Sequence, residues 1–157
     1  MYQFCYISES TSDKSILLED LRNILAEARD FNYRHQVSGA LYFAEGYFFQ
    51  CLEGRENVVE ELFNRILLDH RHERVYRFPD RHIQHAHFAD WSMKYVHKHS
   101  EIASLFKRHG FSQFRPDQMS DEQLQEMLKI LFKVDENYTN FMSPKMGYKQ
   151  RGYVPYF

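Results

Sequence analysis

The most constraining feature of this 157-residue chain is the way its hydrophobic period changes along the first 95 residues. Residues 2–8, Tyr-Gln-Phe-Cys-Tyr-Ile-Ser, are aromatic and β-branched and read as a strand. Leu17, Leu18, Leu21, Ile24, Leu25, Ala28 and Phe31 then recur at three- and four-residue steps, predicting an amphipathic helix over about 14–33. Residues 37–43 and 47–53 read as a hairpin turned at Ala44-Glu45-Gly46. Val58, Val59, Leu62, Phe63, Ile66 and Leu67 mark a second helix over about 55–69, and residues 73–79 and 86–95 carry two further strand-like runs. The resulting order, βαββαββ, predicts an α+β ferredoxin-like sheet with two helices on one face and its first and third strands adjacent at the centre.

Such a sheet leaves its second face bare, and the remaining residues are suited to cover it. Residues 101–109 read as a short helix stopped by Gly110. Ser120 and Gln123 have the spacing of a capping box ahead of Leu124, Met127, Leu128 and Leu131. Beyond Asp135 lies an aromatic tail with Tyr138, Phe141, Tyr148, Tyr153, Tyr156 and Phe157. The expected division is a domain at 1–96 and a C-terminal helical extension with its tail at 97–157, covering the open face.

Composition narrows the function classes. No window approaches the roughly 20 apolar residues of a membrane span, and no secretion signal is apparent at the N-terminus. Two cysteines make no disulfide framework, so a reducing, cytoplasmic setting is expected. Residues 1–69 carry a net charge of −6 and residues 70–157 one of +4, but the basic excess is scattered, which disfavours nucleic acid as a partner. Aromatic residues make up 17% of the chain, enough to serve both a core and a pocket for a planar ligand.

Strand alternation puts Tyr6 and Gln50 on one face of adjacent strands, and Cys5 and Cys51 on the other. Gln50 stands in Phe48-Phe49-Gln50-Cys51-Leu52, where a buried amide needs hydrogen-bond partners. Tyr6 can satisfy part of that need and leave amide capacity for a ligand; the alternative is a solvent-facing Gln on an edge strand. Asn32 either caps locally or reaches a ligand. Arg65 and Asp69, four residues apart, form either a surface ion pair or ligand contacts. The pairs His70-x-His72, His85-x-His87 and His97-x-His99 lack further ligands at metal spacing, so no metal site is assigned.

Together, Tyr6-x-Ser8, Asn32, Ser38-Gly39-Ala40-Leu41, Phe48-Phe49-Gln50-Cys51-Leu52-Glu53-Gly54 and Phe88-Ala89-Asp90-Trp91-Ser92-Met93 resemble the BLUF domain, the family of blue-light sensors that use flavin adenine dinucleotide (FAD). The resemblance spans about residues 1–96 and is closest to the short stand-alone type. It implies non-covalent FAD between the two helices, with Tyr6 and Gln50 as the hydrogen-bond switch and Ser8, Trp91 and Met93 around it. It further implies Asn32, Arg65 and Asp69 as flavin-binding positions, with Ile24 and Phe31 lining the site. Phe31 departs from the family pattern, since many relatives carry Asn or His there and Phe cannot hydrogen-bond. Light would change how residues 97–157 pack, through the strand bearing Trp91 and Met93, and so alter contact with a regulatory protein partner; self-association is left open. Photosensing of this kind is not enzymatic. The alternatives are a flavin-dependent redox enzyme and a light-independent interaction module. A covalent Cys51–flavin adduct is disfavoured because Cys51 faces away from Gln50.

Overall fold

The structure, a computed structural model, describes residues 1–136. The aromatic tail from Tyr138 onward lies outside the described residues. Strand β1 (Tyr2–Ser10) leads to helix α1 (Leu17–His35), the hairpin β2 (Ser38–Ala44) and β3 (Tyr47–Gly54), helix α2 (Glu56–Leu67) and strand β4 (His72–Arg77). A two-residue strand β5 (Arg81–His82), strand β6 (Lys94–His97), helix α3 (Ser100–Arg108) and helix α4 (Asp121–Lys133) follow. The sheet order is β4-β1-β3-β2-β6, with β5 also pairing β1; β2 and β6 run parallel and the other pairs antiparallel. The α+β architecture is the expected one, and β1 and β3 are neighbours at its centre.

Two hydrophobic layers sandwich the sheet. On one face Phe4, Tyr6, Leu41, Phe43 and Phe48 pack with Leu21 and Leu25 of α1 and Val59, Leu62 and Phe63 of α2. On the other, Cys5, Ile7, Tyr42, Phe49 and Cys51 pack with Ile102, Leu105 and Phe106 of α3 and Leu124, Met127, Leu128 and Leu131 of α4. This second layer explains why every residue of β2 is buried: the C-terminal helices cover the face that two helices alone leave open. The start of α4 is set by its capping box, in which Gln123 N donates to Ser120 Oγ (3.2 Å) and Ser120 N to Gln123 Oε1 (2.9 Å). Gly110, at φ +83°, follows the end of α3. No helix among the described residues is long and apolar enough to cross a membrane.

The expected strand over 86–95 is corrected. Only Lys94–His97 pairs with β2, and the residues before it, Trp91 and Met93 included, are irregular. Side chains take over the backbone hydrogen bonding that a ladder would have supplied there. Phe88 N donates to Glu53 Oε2 (2.9 Å), while the Ser92 and Met93 carbonyls accept from Asn32 Nδ2 (2.7 Å) and Arg29 Nε (3.1 Å). A strand-like composition was legible in the sequence, but these distant polar partners were not.

One glycine is demanded by close backbone approach. A Cβ at Gly39 would lie 2.2 Å from the Cys51 carbonyl oxygen of the neighbouring strand. Gly39→Ala should therefore destabilise the protein by about 1–3 kcal/mol. Thermal denaturation followed by circular dichroism should show a midpoint several degrees lower.

Candidate functional site

Between α1, α2 and the sheet lies a cavity of about 190 Å³. Its floor is Tyr6 of β1 and Gln50 of β3, with Leu41 and Phe48 beside them; its walls include Ile24, Phe31 and Asn32 of α1 and Leu62, Arg65 and Ile66 of α2. Seven sequence-predicted positions, Tyr6, Ile24, Phe31, Asn32, Gln50, Arg65 and Asp69, line this one space.

Tyr6 and Gln50 are direct cross-strand partners. The Tyr6 hydroxyl donates to Gln50 Oε1 at 2.5 Å, and both side chains are buried. Burial pushes the Tyr6 phenol well above its usual range, with the nearby Asp69 carboxylate adding to the rise. Among the described residues Gln50 Nε2 meets only the Met93 thioether, at 3.7 Å, a weak acceptor that leaves the amide with donor capacity. Asn32 is fully buried; its Nδ2 is held by Ser92 O, while its Oδ1 has no hydrogen-bond partner among the described residues. A buried orphan acceptor and a weakly used amide donor at one cavity call for a ligand presenting both an N–H and a carbonyl. That is the edge chemistry of an isoalloxazine ring, so the residues fit a flavin.

The cavity mouth is charged. Arg71 makes a two-pronged contact with Asp69 (2.9 Å from Nε to Oδ1, 2.6 Å from Nη2 to Oδ2) and also reaches Glu27 at 2.9 Å. Its hydrogen bond holds the Asp69 carboxyl below the usual carboxylate value. Of the two readings of Arg65 and Asp69, the mutual ion pair is not formed: α2 ends at Leu67, Asp69 turns to Arg71, and the Arg65 guanidinium lies 5.0 Å from the centre of the Phe31 ring. Phe31 also stacks on His35, so it builds a cation–π wall where a hydrogen-bonding side chain was the family expectation.

Ser8, Trp91 and Met93 stand outside the cavity lining. Ser8 sits behind it: His72 Nε2 must donate to the Ile66 carbonyl (2.7 Å), so in the neutral ring Nδ1 accepts from Ser8 Oγ at 2.8 Å. Met93 touches the floor through Gln50. Trp91 lies on the far side of the sheet: it packs against the opposite core layer, edge-on to Phe132 of α4, with Lys94 Nζ 4.4 Å from its ring centre. Sequence reasoning missed His72, Arg71 and Glu27. Alternation along β4 could have raised His72, but the Glu27–Arg71 contact joins elements 44 residues apart and leaves no local signal. Among the described residues no group of three or more His, Cys, Asp or Glu side chains could hold a metal ion.

Comparison with known proteins places these residues in context. Residues 1–94 match the model of the family described as sensors of blue light using FAD, BLUF. A 95-residue stretch, 60% of the chain, is 32% identical to the photoactivated adenylate cyclase subunit beta of Euglena gracilis, of which it spans only 11%. Among solved structures, that of BlsA in its photo-activated state superposes with a TM-score of 0.84 at 38% identity, covering 88% of this chain and 99% of that one. The dark-state structure of BlrB, a BLUF protein, gives 0.69 at 26% identity, covering 85% and 96%.

The buried phenol carries a pH signature. Because the folded Tyr6 ionises only far above the unfolded value of about 10, stability is undiminished below that pH and falls as pH rises through it. Tyr95, raised by burial in the same way, adds to the fall. Denaturant midpoints measured across this range should decline, and Tyr6→Phe should make the decline shallower.

Proposed function

The chain belongs to the BLUF family, sensors of blue light using FAD, and from that premise we propose that it is a blue-light photoreceptor whose switch is the Tyr6–Gln50 pair and whose output is the packing of its C-terminal helices. The observation that carries this reading is the 2.5 Å hydrogen bond from Tyr6 to Gln50 on the floor of a cavity that also holds the unpartnered Asn32 Oδ1.

Asn32 Oδ1 and Gln50 Nε2 would hold the polar edge of the flavin, Ile24 and Phe31 its apolar faces, and Arg65 and Asp69, with Arg71, its polar parts at the mouth. Bound FAD supplies absorption of blue light and, once excited, an electron acceptor. Tyr6 is the electron donor. Its phenol is too buried to ionise beforehand, so loss of an electron is coupled to loss of the hydroxyl proton, which passes along the short bond to Gln50 Oε1. When charge returns, the Gln50 amide is left rotated or tautomerised, with its donor and acceptor ends exchanged. The end that had met Met93 Sδ then has a different partner.

One altered hydrogen bond is worth on the order of 1 kcal/mol, so it can drive only an element near balance. The segment 91–95 suits that role. Met93 contacts Gln50 on one face of the sheet, while Trp91 and Lys94 contact α4 on the other; Lys94 Nζ donates to the Phe132 carbonyl at 2.8 Å. This relay differs from the one expected from sequence in being a tethered loop entering a strand. Residues 1–96 would then be the sensor and 97–157 the output, acting on a regulatory protein partner in the cytoplasm rather than through catalysis by this chain.

Gln50→Leu should keep the protein yellow but abolish the small reversible red shift of the flavin band after blue light; a normal photocycle in that variant would refute the switch assignment. Hydrogen exchange should differ between dark and light in residues 100–133, and identical protection there would refute the output.

A further inference from the structure

The face of β1 and β3 opposite Tyr6 and Gln50 holds two thiols that the photochemistry leaves unused. Cys5 and Cys51 are direct cross-strand partners, each next in the chain to one member of the Tyr6–Gln50 pair. Both are free and buried, at 4% and 0% exposure.

The hydrogen-bonding register determines what kind of pair they are. Phe78 N donates to the Cys5 carbonyl (2.9 Å), so the peptide groups of Cys5 face β4 and not β3. The Cys51 carbonyl likewise faces β2, where it crowds Gly39. Cys5 and Cys51 therefore form a non-hydrogen-bonded antiparallel pair, the type in which Cα atoms approach to about 4.5 Å and side chains stand closest. That separation lies inside the range a disulfide spans, about 4.4–6.8 Å, at its short end. The two side chains lie on the same face of the sheet, in one buried cluster.

We propose that Cys5 and Cys51 are a redox-active dithiol that closes to a cross-strand disulfide, a modification site directly behind the Tyr6–Gln50 pair. The oxidant class is a peroxide. A thiolate attacks one peroxide oxygen, the O–O bond breaks and hydroxide leaves, giving a sulfenic acid. The second sulfur then displaces the sulfenic oxygen as water and forms the S–S bond. Two thiols and one hydrogen peroxide yield one disulfide and two waters; two electrons pass from sulfur to oxygen. Thiol–disulfide exchange reverses the bridge once a thiol reaches it, so it is a reversible modification rather than a permanent staple.

Access is set by the extension. Both thiols lie in the layer covered by α3 and α4, with Met127 and Leu128 in the same cluster. Burial also pushes the Cys51 thiol upward, which keeps it protonated and slow to react while that cover is closed. Oxidation then proceeds through openings of the cover. The proposal does not depend on the light-sensing reading, since it needs neither flavin nor light.

The test is to expose the purified protein to hydrogen peroxide, denature it in iodoacetamide and measure intact mass and tryptic peptides, beside Cys5→Ser, Cys51→Ser and Leu128→Ala variants. The expected product is a monomer about 2 Da lighter, unalkylated, with the peptide ending at Lys14 joined to the one ending at Arg55, and restored by dithiothreitol. Neither single-serine variant should give it, and Leu128→Ala should form it several-fold faster. Full alkylation of both cysteines after peroxide in wild type and Leu128→Ala alike, or conversion to sulfinic acid without a bridge, overturns the proposal.

Discussion

The antiparallel pairing of β1 with β3 is the constraint on which the rest of the molecule depends. A single register, Tyr6 opposite Gln50, sets two chemistries back to back. On the α1–α2 side it brings a phenol and an amide to hydrogen-bond distance at the floor of a cavity. On the α3–α4 side it sets two thiols opposite each other in one buried cluster. A slip of one residue would exchange the faces, sending Gln50 beneath the C-terminal helices and Cys51 into the cavity. Apolar burial guards that register on both sides, because Phe48, Phe49 and Leu52 of β3 would also have to change faces.

Polar groups buried within this frame mark where it is built to do more than pack. Arg29 is 1% exposed and Lys94 2%, and each donates to a backbone carbonyl: Met93 O for Arg29 and Phe132 O for Lys94. Burying such charges is costly without partners of this kind. Glu136 accepts from Tyr95 N at 3.1 Å and pairs with Arg29 at 3.4 Å, so the residues after α4 return to the same segment. Residues 91–95 are thereby held from α1, α4 and the chain beyond α4 at once. That segment touches both the floor of the cavity on one face of the sheet and the helices on the other.

Much of this was legible in the sequence because it rests on local periodicity. The stripe from Leu17 to Phe31 specified α1, Ser120 and Gln123 specified the start of α4, and alternation separated Tyr6 and Gln50 from Cys5 and Cys51. The errors fall where side chains from distant elements overrule local composition. Residues 86–93 look like a strand but are irregular because Glu53, Asn32 and Arg29 satisfy their backbone groups. At Arg65 and Asp69, where spacing left an ion pair and ligand contacts both open, only the fold shows that Asp69 lies past the end of α2 and turns to Arg71.

By itself, then, the sequence determined the order of elements, the face to which each strand residue points, and the residue types able to serve a flavin, since period and chemical type are properties of neighbours along the chain. Only the tertiary structure decided that Asn32 keeps a buried oxygen free, that Trp91 packs toward α4 while Met93 meets Gln50, and that Cys5 and Cys51 fall at a non-hydrogen-bonded pair. Each of these depends on which distant group supplies the last hydrogen bond or fills the last space. Those partners become neighbours only when the sheet closes between its two layers of helices.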